Sequence, residues 1–164
     1  MKSLVVFYSF EGNTRFVAEN VAREIGGDLL ELKPKSDVKS KGFMKYFWGG
    51  RQVVMCKTPE LEAFDKNPED YDALVIGTPV WSFSYAPAIR SFFRNVNLKN
   101  KKIAIFCCFQ GVQANTLDKM KLALKDNEII EQKGFINPLS DKDQTLDQII
   151  CWTKILRDQI GETS

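Results

Sequence analysis

Two kinds of apolar pattern alternate along this chain. The first is the short continuous run: Leu4 to Tyr8, Tyr71 to Gly77 and Ile103 to Phe109, each rich in β-branched or aromatic residues. Such runs read as strands covered on both faces, because a half-exposed strand would alternate apolar and polar positions. The second recurs at helical spacing: Phe16, Val17, Val21 and Ile25 with Ala18 and Ala22 interleaved; Ile89, Phe92 and Phe93; Leu117, Met120 and Leu124; and Leu146, Ile149, Ile150, Ile155 and Leu156 within a helix from Thr145 to Ile160. Asp28 to Leu32 reads as a second strand closed by Pro34. Glu128 to Phe135 reads as the last strand, twisted or at an edge. The punctuation agrees. Gly26-Gly27 ends the first helix. Pro87 fits the first turn of the next. Asn115 or Thr116 can cap a third, and Gly161 closes the last.

Strand followed by helix, five times over, is solved most simply by one α/β domain spanning 1–164. It holds a doubly wound five-stranded parallel sheet between two helical layers, with right-handed crossovers. In that architecture a ligand sits beyond the carboxyl ends of the strands, at the switch point between the first and third. The loops after strands one, three and four therefore converge on one crevice.

The first of these loops is Ser9-Phe10-Glu11-Gly12-Asn13-Thr14. The opening N–H groups of the helix behind it have no internal partner, and the helix dipole favours an anion there. Ser9, Asn13 and Thr14 add side-chain donors, and Gly12 permits a turn that a Cβ would strain. The loop reads as a monophosphate cradle. Its bland alternative is an Asn/Gly turn before a helix capped by Asn13 or Thr14. Neither G-x-G-x-x-G nor Gly-Lys-Ser/Thr is present, so it is neither the dinucleotide fingerprint nor a Walker loop.

Composition narrows the chemistry. The 164 residues include no histidine, which excludes Ser-His and Cys-His nucleophilic catalysis and argues against a catalytic zinc or haem. A histidine-free redox enzyme must take its chemistry from a cofactor. Net charge is +2, with no arginine-rich run, so no nucleic-acid partner is expected. No apolar run is long enough to span a membrane, and the segment before Glu11 is too short for a secretory signal. Cys56, Cys107, Cys108 and Cys151 form no C-x-x-C and read as reduced thiols of a cytoplasmic protein. Cys107 and Cys108 are adjacent, so they alternate across the sheet and read as small packing residues.

Tyr8-Ser9-Phe10-Glu11-Gly12-Asn13-Thr14 resembles the loop that holds the FMN phosphate in the flavodoxin-like family. The resemblance extends from Ser3 to about Ile160. Thr78-Pro79-Val80-Trp81-Ser82-Phe83 stands where that family holds the isoalloxazine ring, and Cys108-Phe109-Gln110-Gly111 resembles its third flavin loop. The resemblance implies a flavodoxin-like strand order, 2-1-3-4-5, and FMN as cofactor. It implies stacking on Trp81, with Tyr85 and Phe83 as substitutes, and bonds to the ring's polar edge from the N–H groups of Val80, Trp81 and Phe109. Ser82 offers a hydroxyl. In electron carriers of the family, a glycine-containing loop after the third strand reorients a peptide toward the flavin and favours its one-electron-reduced form. Here no glycine lies between Gly77 and Tyr85, and Pro79 stiffens the turn. The net charge also departs from the acidic balance of such carriers. The Thr-Pro-Val-Trp form is similar to the loop of flavin-dependent NAD(P)H and quinone reductases, although the chain has no room for a separate nicotinamide domain.

The least regular stretch runs from Lys35 to about Glu69. A basic run, Lys35 to Lys41, reads as a solvated loop. Phe43, Met44, Phe47 and Trp48 share a helical face ahead of Gly49-Gly50, which reads as a crossover helix on the sheet; Trp48 or Tyr46 as a lid over a flat ring is the alternative. The expected function is FMN-dependent electron transfer between cytosolic redox partners. Two alternatives stand beside it: an NAD(P)H-dependent FMN or quinone reductase, with Arg51, Arg90 or Lys45 meeting a nucleotide phosphate, and a flavodoxin-fold module that binds a partner and no flavin. Monomer and homodimer both fit.

Overall fold

The computed structural model describes residues 1–35 and 58–161. The basic run from Ser36 to Lys41, the aromatic stretch with Tyr46 and Trp48, and Lys45, Arg51 and Cys56 lie outside the described residues.

The described elements follow the alternation of the sequence. Strand β1 is Ser3–Phe7, helix α1 Asn13–Ile25, β2 Asp28–Glu31, β3 Ala73–Trp81, β4 Ser84–Tyr85, α2 Pro87–Asn95, β5 Lys102–Phe109, α3 Thr116–Ala123, β6 Glu128–Ile136 and α4 Lys142–Gly161. Five strands run parallel in the order β2-β1-β3-β5-β6, which is 2-1-3-4-5 when the short β4 is set aside. β1 lies between β2 and β3, with Val5 beside Leu29 on one side and Val75 on the other. The switch point expected from the pattern is therefore real, and the carboxyl ends of β1, β3 and β5 face one side of the molecule.

Two apolar layers cover the sheet, as its continuous runs require. Leu4, Val6, Leu74, Ile76, Ile103 and Ile105 pack against Ile89 and Phe92 of α2 and Leu117 and Met120 of α3. Val5, Val75, Ala104 and Phe106 pack on the opposite face against Val17 and Val21 of α1 and Ile149, Trp152 and Leu156 of α4. The ring of Phe106 occupies the space over Gly77, where a Cβ would sit 2.0 Å from it. It meets Phe135 and Trp152 edge-on at 6.0 and 6.1 Å. Glycine at position 77 is thus a steric requirement of this cluster.

Two expectations need correcting. Ile150 and Ile155 are exposed, and Trp152 takes the buried position. They flank the apolar stripe of α4 on its solvent side, so helical spacing alone could not separate them from the stripe. The stretch Thr78–Trp81, expected as loop, continues β3 and pairs with β4 through Val80–Tyr85 and Trp81–Ser84.

The remaining boundaries follow local chemistry. Gly26 adopts φ 66° and ends α1, with the Gly27 N–H donating to the Ala22 carbonyl at 2.9 Å. In edge strand β6, Ile103 faces Ile129 while Ala104 faces Glu131, so Ile130 is a bulged extra residue. A bulge bends an edge strand away from further pairing.

Candidate functional site: the crevice at the switch point

The first wall of the crevice is the loop from β1 to α1. Gly12 stands at the N-cap of α1 with φ 97°, a backbone that an L side chain adopts only under strain. No side chain caps this helix end among the described residues, and its first turn holds no acid. The capping roles considered for Asn13 and Thr14 are therefore not observed. Ser9 Oγ accepts from the Gly12 N–H at 3.2 Å, which closes the loop on itself and leaves the hydroxyl proton to donate elsewhere. Asn13 Oδ1 accepts from the Leu139 N–H at 3.2 Å, so the amide NH2 of Asn13 turns the other way. The donor set is what a phosphate monoester requires: free helix N–H groups, a hydroxyl and an amide, with the dipole favouring negative charge.

Thr14 is buried, on the side of the sheet where Cys108 packs. Burial is the larger influence on the Cys108 thiol and holds it far above its ordinary pKa; the Thr14 side chain acts in the opposite direction. Cys107, on the other face of the sheet, is pushed up to about 12 by burial. Both stay protonated and serve as packing groups, as their alternation implied.

The second wall is a β-hairpin. Ser82 and Phe83 form its two-residue turn with φ 45° and 63°. Consecutive left-handed residues mark a type I′ turn, which usually employs Asn-Gly because a Cβ there costs about 1–2 kcal/mol per residue. The turn persists because its surroundings over-determine it. Thr78 Oγ1 accepts from the Ala86 N–H at 2.9 Å and lies 2.9 Å from the Pro79 carbonyl, which fixes the hairpin base. Lys119 Nζ donates to the Phe83 carbonyl at 2.9 Å, which fixes the tip.

Trp81 is buried, with 9% of its surface exposed, and Tyr8 and Phe10 meet its ring edge-on at 5.5 and 5.7 Å. It forms the aromatic floor between the first two walls. Phe83 is 62% exposed at the tip, and Tyr85 packs beneath the hairpin against Phe93. Trp81 stands opposite Ser84, the pair that closes the two-residue turn, and Val80 stands opposite Tyr85, a non-hydrogen-bonded position whose N–H points away from β4.

The third wall is the end of β5. Phe109 is half-buried, Gln110 and Gly111 are exposed, and the Phe109 carbonyl accepts from the Asn137 N–H at 2.9 Å. Gln110 Nε2 donates to Glu11 Oε2 at 3.3 Å, so the third wall touches the first. The structure thus brings all three loops together. Arg90 lies on α2 with its guanidinium 5.5 Å from the Tyr85 ring centroid.

Three contributors escaped the sequence reading: Tyr8 as part of the floor, Leu139 and Lys119. Tyr8 lay within the quoted motif, but its value as ring packing depended on Trp81 folding over it. Its hydroxyl is buried without a hydrogen-bond partner among the described residues, and burial, followed by the charge of Glu31, raises its pKa well above that of ordinary tyrosine. Leu139 and Lys119 carry no local signal. Among the described residues no group of acidic or cysteine side chains could hold a metal, and no helix is long and apolar enough to cross a membrane.

A doubly wound parallel sheet with an uncapped, glycine-entered helix at its switch point defines an α/β protein with its crevice at the carboxyl ends of the strands. The Flavodoxin family model matches residues 2–152, and the chain belongs to that family. Solved structures agree in fold. A flavoprotein of Bacteroides eggerthii superposes with a TM-score of 0.76 at 23% identity, over 94% of this chain and 96% of that one. A flavoprotein of Lactobacillus acidophilus, solved in complex with FMN, superposes with a TM-score of 0.67 at 24% identity, over 85% and 96%. A WrbA-like flavodoxin of Agrobacterium tumefaciens gives 0.64 at 14% identity, over 99% of each chain. No curated protein sequence matches this chain.

Proposed function

We propose that this protein binds FMN in the switch-point crevice and transfers electrons between cytosolic redox partners. The observation that carries the reading is the open N-terminus of α1, entered through Gly12 and flanked by Ser9 and Asn13, directly beside an aromatic floor. The helix N–H groups, Ser9 and the Asn13 amide hold the phosphate. Trp81, Tyr8 and Phe10 give the ring an apolar bed, and Phe83 and Phe109 flank it. The bound flavin supplies the one- or two-electron chemistry. The chain's own groups bind and orient it and exclude water from its face.

A second reading, an NAD(P)H-dependent reductase acting on quinones or similar acceptors, is favoured by the hairpin. It is glycine-free and tied at both base and tip, so its peptides have little freedom to follow a change in flavin charge. Arg90 is the candidate contact for a nucleotide phosphate in that reading. Anaerobic titration of the FMN-loaded protein, first with dithionite and then with NADPH, separates the two. A long-lived one-electron form with no response to NADPH supports the carrier. Direct two-electron bleaching by NADPH supports the reductase. A protein that stays colourless with added FMN contradicts both.

A further inference from the structure

We propose that Lys119 is a positioning residue for the crevice, a clamp that holds the Ser82–Phe83 turn in its left-handed form and so sets the gap between the second and third walls. The inference rests on the reading of the crevice as a flavin site, but the clamp itself is a property of the chain alone.

The turn has little intrinsic reason to hold its shape. Neither Ser82 nor Phe83 is a residue that favours positive φ, yet both adopt it, at 45° and 63°. The hairpin base is secured by Thr78 through the Ala86 N–H. The tip is secured by the 2.9 Å bond from Lys119 Nζ to the Phe83 carbonyl. Lys119 makes no ion pair among the described residues, whereas its neighbour Lys121 pairs with Asp118. Its stem is half-buried, and its ammonium is directed to a neutral carbonyl in an exposed bond. Hydrogen bonds with one charged partner are the stronger kind.

The origin of Lys119 gives the clamp a functional consequence. Helix α3 begins at Thr116, seven positions after the Phe109 that ends β5, so the strand that carries the third wall leads directly into the clamp's anchor. Lys119 therefore joins the element after β5 to the tip of the hairpin after β3. A planar ring entering between these walls meets a gap whose width is fixed in advance, and preorganisation of this kind raises affinity by reducing the ordering cost of binding.

Three proteins test this: wild type, Lys119→Met, which keeps the stem and removes the donor, and Lys119→Arg, which restores one. Backbone hydrogen exchange on the FMN-free proteins reads the clamp directly. Lys119→Met is expected to raise exchange at Trp81 and Ser84 about tenfold, with the β1 and β5 amides unchanged and Lys119→Arg restoring protection. FMN titration is expected to show roughly five- to tenfold weaker binding for Lys119→Met, recovered by Lys119→Arg. Unchanged exchange in Lys119→Met, or failure of Lys119→Arg to restore it, overturns the clamp. Loosened exchange with unaltered FMN affinity overturns its role in setting the gap. Wild type failing to bind FMN overturns the flavin reading and the gap-setting role, while the exchange data still decide the clamp.

Discussion

Asn13 Oδ1 accepts a hydrogen bond from the backbone N–H of Leu139, across 126 positions of sequence. That single bond ties the loop after β1 to the loop after β6 and decides which end of the Asn13 amide faces the crevice. Because the Leu139 N–H can only donate, the oxygen must meet it and the NH2 group is left for an anion. Two substitutions separate these roles. Asn13→Asp keeps the acceptor for Leu139 but places a carboxylate beside the phosphate. Its thermal stability is expected to stay near wild type while FMN affinity falls on the order of 100-fold. Asn13→Ala loses both roles, with a smaller loss of affinity, about tenfold, and a measurable fall in stability. Calorimetric melting together with FMN titration checks both, and an Asn13→Asp variant that binds FMN as tightly as wild type contradicts the assignment.

Gly12→Ala tests the backbone of the same loop. A Cβ at φ 97° would meet only Leu139 Cδ1, at 3.7 Å, which is ordinary contact. The cost is therefore conformational and not steric, about 1–2 kcal/mol. For a domain of this size that corresponds to a melting temperature lower by roughly 2–8 °C. A variant as stable as wild type would show that the loop relaxes out of the left-handed conformation without penalty.

Tyr71 gives the fold an alkaline limit at the end of the sheet remote from the crevice. Its hydroxyl donates to Asp28 Oδ2 at 2.7 Å, and burial, reinforced by Asp28, pushes the phenol up to about 12. The unfolded chain ionises this group near pH 10, about its ordinary value. The raised pKa means the folded state keeps the proton longer. The stabilisation is thus complete below pH 10 and is lost as pH rises from about 10 to about 12. Tyr71→Phe is expected to be less stable at neutral pH, since it leaves Asp28 without its donor, and to lose stability less steeply across that alkaline window. Urea melts at pH 8, 10 and 11 check this.

The cysteines should divide by exposure. Cys107 and Cys108 are buried with raised pKa values, and Cys151 is exposed on α4. Only a thiolate alkylates quickly. Native-state alkylation mapped by peptide mass spectrometry is expected to modify Cys151 while sparing Cys107 and Cys108 until the protein is unfolded. Early modification of Cys108 would contradict its burial.

Central strands and helix ends were legible in the sequence for local reasons, whereas the strand order came from the family resemblance. Continuous apolar runs such as Leu74–Ile76 can be buried on both faces only in a central strand, and Gly26 and Pro87 punctuate helices through their own backbone preferences. The meeting of the three crevice loops followed from topology. The hairpin was not legible, because nothing in Ser82-Phe83 favours a left-handed pair; the turn is imposed from outside, partly by a lysine 36 positions away. Trp81 illustrates the same limit. Its place near the crevice was readable, whereas its burial against Tyr8 and Phe10 depends on strand β3 continuing past Pro79.

The measurement that bears most directly on the crevice is a paired titration of the purified chain, freed of bound flavin, with FMN and with riboflavin, followed by flavin fluorescence. The two ligands share the ring and differ in the phosphate. FMN is expected to bind in the micromolar range or tighter and riboflavin at least about 100-fold more weakly, since several charge-assisted bonds at the α1 terminus are lost. Equal affinity for the two would show that Gly12, Asn13 and the open end of α1 hold no phosphate, and absence of binding by FMN would remove the flavin from the protein's function altogether.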